Sequence, residues 1–313
     1  MSTFATIRER LQRGTGESTL LMLVLLIVVG AVFAILNPVF LTPQNLSNLA
    51  TQVAPTLVGA VAMTFILTTA EIDLSTGSVL AFVAVSTAWL LKQGVAPALV
   101  ILVALGLGSL CGFLNGWFTA YQKMPSFVVT LATMSIVRGA ALMITMGFSI
   151  SIDASSPILL IGQGKFLGVS YAAWIALLAA VVGVVLLRYM RYGQYVTGIG
   201  SNQESVRRAG INTRRIKLVT FIFMGFMAGV AGLITAARLG SGDANTATDY
   251  GMSVITAGVI GGTDLFGGEG TMAGSVVGAG FVGMLANGLT ILGVSPYLTP
   301  ILDGATLILV LWF

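Results

Sequence analysis

The chain has 313 residues, 56% of them hydrophobic and only 8% charged, with 39 glycines, one cysteine, no histidine and a net charge of +4. Soluble domains carry about 25% charged residues, so a soluble globular fold is excluded, and so much apolar sequence excludes disorder as well. Without histidine there is no His-based acid–base chemistry and no Cys/His metal site, and Cys111 has no partner for an internal disulfide.

Each membrane crossing needs about 20 apolar residues, which leaves room for roughly ten. Arg8, Arg10 and Arg13 precede an apolar run over 20–36 that is too long for a signal-peptide core and has no A-x-A site after it, so it reads as a retained first helix. Asn37, Pro38, Pro43, Gln44 and Asn45 break the chain before a second span at 51–70. Further spans are expected at 76–91, 96–120 and 126–147, followed by a polar external loop at 148–170 carrying Asp153, Pro157 and Lys165. A sixth span at 171–187 runs into the most charged stretch of the chain, Arg188 to Lys217. Four more are expected at 218–237, 251–263, 271–293 and 298–313.

The expected fold is therefore an all-α integral membrane protein, one domain over 1–313, with about ten transmembrane helices, some of them broken. Basic residues fix the orientation. The N-terminal arginines, Lys123 and the 188–217 cluster go to the cytoplasm together with both termini, and Lys92, Lys165 and Arg238 fall outside singly. The two basic blocks flank apolar spans, so the positive charge is a topology signal and no nucleic-acid partner is expected; membrane lipid is.

Internal repeats are suggested by two pairings. Asp73-Leu74 followed by Gly77 matches Asp264-Leu265 followed by Gly268, and Asn115-Gly116 before Pro125 matches Asn287-Gly288 before Pro296. The offset falls from 191 to 172 between them, as if one span were missing from the second copy. Gly108, Gly112 and Gly116 recur every four residues, as do Gly225 with Gly229 and Gly274 with Gly278. Such stripes let helix backbones approach closely in lipid, and these glycines are assigned to packing.

Three segments carry polar chemistry. In 70–78, Glu71 and Asp73 lie between apolar runs, where carboxylates are costly and face protein or water; an Asp before Ser75 and Thr76 also suits a helix cap. In 261–270, five glycines among ten residues forbid a regular helix. This is no phosphate loop, and no Walker A pattern occurs anywhere, so the chain is not expected to hydrolyse ATP. In 192–217, Ser201 or Asn202 can cap a short cytoplasmic helix with Glu204 in its first turn, Arg207 and Arg208 in its last, and Gly210 ending it; those charges suit the helix dipole.

Taken in order, the segment at 192–218, the Glu-Ile-Asp-Leu-Ser-x-Gly-Ser stretch at 71–78 and the Gly-Gly-Thr-x-Leu-x-Gly-Gly-x-Gly stretch at 261–270 resemble the ribose/xylose/arabinose-type permeases of bacterial ABC importers, over nearly the whole chain. The departures both add a carboxylate: the family pattern has Gly-Gly where this chain has Ala70-Glu71, and an uncharged residue in place of Asp264.

The resemblance implies a multi-pass permease of the bacterial inner membrane that moves a pentose, hexose or related polyol inward. Its implied partners are a second permease subunit, identical or not, two cytoplasmic ATPase subunits that bind the ATP and Mg, and a periplasmic sugar-binding protein. No cofactor is implied on this chain. Glu204, Arg207, Arg208 and Gly210 would form the coupling helix that docks on the ATPase, and Asp73, Ser75, Asn115 and Asp264 would lie on the substrate path. The competing reading is an ion- or proton-coupled secondary transporter using Glu71, Asp73, Arg138, Asp264, Glu269 and Asp303 as intramembrane charges. Such a carrier has no need of the 201–210 helix.

Overall fold

The computed structural model describes residues 15–295 and 298–312, so Arg8, Arg10, Arg13 and Pro296 lie outside the described residues. Ten apolar helices fall where spans are expected. They are α1 (Thr15–Leu36), α2 (Pro43–Thr68), α3 (Thr76–Lys92), α4 (Pro97–Ala120), α5 (Ser126–Thr145), α7 (Tyr171–Val184), α9 (Thr213–Leu239), α10 (Tyr250–Ile260), α11 (Met272–Ile291) and α12 (Leu298–Trp312). Two further α-helices lie among the described residues: α6 (Leu160–Gln163) in the external loop, and α8 (Arg191–Arg208), which follows a π turn over Val185–Tyr189 that extends α7.

Seven of the ten are long and apolar enough to cross a bilayer unaided; α3, α10 and the apolar part of α12 are shorter. The 11 residues of α10 rise only ~16 Å, about half of a ~30 Å hydrocarbon layer. Helices α3, α10 and α12 are the short members of the roughly ten helices expected, some of them broken. Two starts move. α2 begins at Pro43 rather than 51, because proline is favoured in a first turn and Thr42 Oγ1 caps it by accepting from Asn45 N at 3.3 Å. α9 begins at Thr213 rather than 218, because Asn212 Oδ1 accepts from Arg215 N at 3.1 Å; its first turns are therefore basic.

The external loop is structured. Strand β1 (Ile150–Ser151) pairs antiparallel with β4 (Ser241–Gly242) beyond the end of α9, and β2 (Lys165–Phe166) forms a hairpin with β3 (Val169–Ser170).

Helices α2 and α9 form the centre, with most of their span residues buried, while α1, α4, α5 and α7 keep mostly exposed apolar surface, as helices facing lipid do. Glycine brings the neighbours in. A Cβ on Gly108, Gly112 or Gly225 would collide with backbone of the opposing helix, and one on Gly116 with Leu218 and Phe221, so α4 and α9 run antiparallel with 108 opposite 225 and 112 opposite 221. Gly229 lies against Ala104, Leu105 and Gly108 in the same seam. A second seam has the same geometry: α11 runs antiparallel to α2, with Gly283 against Val53, Ser275 hydrogen-bonded to Thr64 at 2.7 Å and Asn287 bonded to Asn45.

The two seams reveal the repeat. Gly225 lies 172 residues after Val53, as Asn287 lies after Asn115, so α2–α5 correspond to α9–α12. Helix α3 lies alongside α9, with Leu80 at Gly232 and Ala84 at Gly242; α10 lies alongside α2, with Tyr250 at Gly59 and Leu67 at Gly258. Each pair is parallel. α2 and α9 are themselves antiparallel, with Phe65 against Phe223 at one end and Gln52 and Thr56 sharing a cavity with Thr235 and Arg238 at the other. The halves are therefore inverted relative to each other. The pairing of Asp73 with Asp264 does not belong to this repeat. Asp73 precedes the short helix α3 and Asp264 follows the short helix α10, so their offset of 191 reflects similar local turns, and no span is missing.

At the centre, the N-termini of the two short helices meet. Gly77 packs against Ala247, Tyr250 and Gly251, and Gly251 against Leu74 and Thr76. Each is a partial span entered through a break, 69–75 in the first half and 240–249 in the second.

Candidate functional site

The break at 69–75 is held by a chain of polar contacts. Asp73 is buried, and its Oδ1 accepts from Ser75 N at 2.9 Å and Ser75 Oγ at 2.6 Å. Asn115 Nδ2 on α4 donates to Ser75 Oγ at 2.9 Å, and Thr133 Oγ1 on α5 donates to Asn115 Oδ1 at 2.6 Å. Three of the four residues expected on the substrate path thus come together: Asp73, Ser75 and Asn115. Asp264 does not join them. It is exposed, and its Oδ1 accepts from Phe266 N at 2.8 Å in a local turn.

That turn belongs to the glycine-rich loop, which packs on the other side of the break. Gly268 N donates to Thr68 O at 3.0 Å. Gly262, Gly267 and Gly268 take φ of +87°, +91° and +87°, a region open to glycine at no steric cost. Gly200 of α8 is pressed so closely against Thr68 and Gly268 that it has no room for a Cβ. The end of α2, the glycine-rich loop and the start of the charged segment therefore form one packed unit.

Within α8 the chain kinks at Asn202, whose φ of −159° and ψ of 92° are not helical. Asn202 Oδ1 accepts from Ser205 N at 2.9 Å, so a short second helix starts there. It ends at Gly210, which has φ +84° and donates its N–H to Arg207 O. Glu204 accepts from Arg207 Nε at 2.9 Å and Nη2 at 2.8 Å, and from Arg208 Nε at 3.1 Å. Hydrogen bonds from Arg207 first and then Arg208 hold its carboxyl below the usual range. All these side chains are exposed.

Two contacts were not foreseen from sequence, although Glu71 itself was marked there as a carboxylate between apolar runs. Glu71 pairs with Lys217 Nζ at 2.5 Å, with only 12% and 14% of the side chains exposed, and ties the break to the first turns of α9. Nothing in the sequence aligns positions 71 and 217, which only the α2–α9 packing brings together. Thr133 looks like any threonine in an apolar helix until Asn115 is placed opposite it. A cavity of about 500 Å³ lies between the Glu71–Lys217 pair, the Lys123 turn and the 203–207 helix, with Arg214 on its wall.

A protein-family model described as branched-chain amino acid transport system / permease component matches residues 45–311. The chain is 35% identical to the ribose import permease protein RbsC of Haemophilus influenzae over 87% of this chain and 85% of that protein. It is 34% identical to RbsC of Escherichia coli over 92% and 90%, and 34% identical to the L-arabinose ABC transporter permease protein AraH of Azospirillum brasilense over 92% and 84%. The match takes in both inverted halves, both breaks and the capped helix between them, and on it the chain belongs to this family of permease components, as a multi-pass, non-catalytic membrane subunit.

Proposed function

We propose that this permease carries a monosaccharide, a pentose first among candidates, from periplasm to cytoplasm by alternating access, driven by separate ATPase subunits and supplied by a periplasmic binding protein. The family's description names branched-chain amino acids, whereas the relatives matching most of the chain are named for ribose and arabinose. The polar linings at both breaks suit a polyhydroxylated solute better than an aliphatic side chain, because sugar hydroxyls both donate and accept.

The observation that carries the reading is the packed unit at the charged face. The Asn202-capped helix bearing Glu204, Arg207 and Arg208 and ending at Gly210 is the ATPase-docking element. Displacing it shifts Gly200 against Thr68 and Gly268, and so works directly on the broken helix. Glu71–Lys217 transmits the same motion from the start of α9. Asp73, Ser75 and Asn115 anchor the route at its cytoplasmic end, and Asp264 sits on the coupling face instead. In this reading both termini are cytoplasmic.

The test is reconstitution in liposomes with its cognate ATPase and periplasmic binding protein. Uptake of D-ribose, L-arabinose or D-xylose should require all components and ATP. Concentrative uptake by the permease alone, driven by a proton or sodium gradient, would replace this reading with the secondary transporter.

A further inference from the structure

The second break has a cavity of its own, of about 240 Å³, between α2, α9 and α10. That is room for about eight waters at ~30 Å³ each, the scale of a five- or six-carbon sugar and below the 300–1,000 Å³ typical of drug-sized ligands. Both halves of the repeat contribute. Gln52 and Thr56 come from α2, Thr235 and Arg238 from α9, Asp249 from the end of the break and Ser253 from α10. None of these was expected on the substrate path, and none belongs to the Asp73 cluster.

Three observations point to a ligand. Arg238 Nε is buried and has no hydrogen-bond partner among the described residues. Buried donors are nearly always satisfied, so an unanswered Nε–H on the cavity wall leaves a place for an acceptor. An arginine in the last turn of α9 is also well placed for the helix dipole, but that role leaves Nε unanswered. Next, the break that forms one wall is fixed in place from two sides: Arg138 on α5, outside the cavity, donates to the carbonyls of Ala244 and Thr246, while Tyr250 Oη, on the cavity wall, donates to Pro55 O at 2.8 Å. Finally, a donor-rich side (Arg238) meets an acceptor (Asp249) across amide and hydroxyl groups, the mixture a polyol needs. Sites between repeats at a helix break are where transporters bind substrate.

We propose that this cavity is a monosaccharide-binding station of the permease, with Arg238 and Asp249 as its hydrogen-bonding poles and Gln52, Thr56 and Thr235 reading the hydroxyl pattern. This rests on the import reading above. In that orientation the station opens toward the periplasmic end of α9, so it receives sugar released by the binding protein, before the Asp73 break on the opposite side.

The experiment uses the complete reconstituted transporter and measures initial uptake of D-ribose, L-arabinose and D-xylose together with ATP hydrolysis stimulated by loaded binding protein. Arg238→Met and Asp249→Asn should each cut uptake at least tenfold while stimulated hydrolysis stays within twofold, so that less sugar moves per ATP. Arg238→Lys should recover part of the loss. Thr56→Val, close in shape, should change the preference among the three sugars at least threefold; a merely structural residue would lower all three alike. Uptake within twofold of the unmodified protein, with unchanged preference, would overturn the station. If Arg238→Met fails to reach the membrane, the Asp249→Asn and Thr56→Val results decide. If the unmodified complex moves none of the sugars with ATP, the import reading itself has failed.

Discussion

Ala70 adopts φ +58°, in the left-handed region that favours glycine. A Cβ there costs about 1 kcal/mol, and Ala70 also presses on Gly267 across the break. Ala70→Gly should therefore raise stability by no more than ~0.6 kcal/mol, what remains after the ~0.4–1 kcal/mol cost of the greater freedom of glycine in the unfolded chain; thermal unfolding of the purified permease in detergent measures it. The neighbouring substitution works in the opposite direction. Replacing Glu71 by Gln leaves Lys217 without its counter-charge in a largely enclosed place, at a cost of ~1–3 kcal/mol. The Glu71→Gln/Lys217→Met double variant should lose less than the two singles combined, and a double-mutant cycle on unfolding reads the difference. Arg207 and Arg208 call for a functional test. Reversing both to Glu leaves an all-acidic helix tip where an interface charge pair left unmatched costs roughly 2–5 kcal/mol. ATPase co-purification and sugar uptake should be lost while the membrane level of the permease is unchanged, since both side chains are exposed and form their ion pairs with Glu204. Normal uptake with the ATPase still bound would remove these arginines from coupling.

Among the elements, the glycine seams give the sharpest contrast. Gly108 faces backbone of α9, whereas Gly106, two residues earlier, faces open space. Gly108→Val should prevent stable folding, because neither backbone can give way, while Gly106→Val should insert and fold normally; the yield of monodisperse protein after solubilisation distinguishes them. Spacing marked Gly108, Gly112 and Gly116 as one stripe and Gly225 with Gly229 as another. That the two stripes face each other was not legible, because helical spacing describes one helix at a time. Helix positions were legible for a related reason: apolar runs end where charges, prolines and glycines begin. The starts of α2 and α9 were missed because Thr42 and Asn212 act through local caps that hydropathy does not register. The capped helix at 202–210 was visible since its signals are local, whereas Asp264 was grouped with Asp73 because similar Asx turns make distant segments look alike. The cavity beside Arg238 was invisible, as its walls come from four separate stretches of chain.

Over the whole molecule, orientation is the property most open to a direct check. Single cysteines at Leu160 and Asn245 should react with a membrane-impermeant thiol reagent in intact cells, and those at Lys123 and Ser205 only after permeabilisation; all four positions are exposed. Cys111 is buried and is replaced first to clear the background. Labelling at 205 but not at 160 in intact cells would turn the protein over and place the charged helix outside.

The inverted halves also have a consequence in parity. Each half, α2–α5 and α9–α12, contributes four helices, and a four-helix unit copied directly after itself would re-enter from the same side and come out parallel. The single additional crossing, α7, is what makes the total odd and turns the second copy over. A helix that buries Ala172, Ala176 and Ala179 in the core and keeps much of its other apolar surface exposed thereby decides that the two breaks enter from opposite ends of the helix bundle. In the import reading it also delivers the chain to the cytoplasm at the point where the proposed coupling helix lies between the two halves.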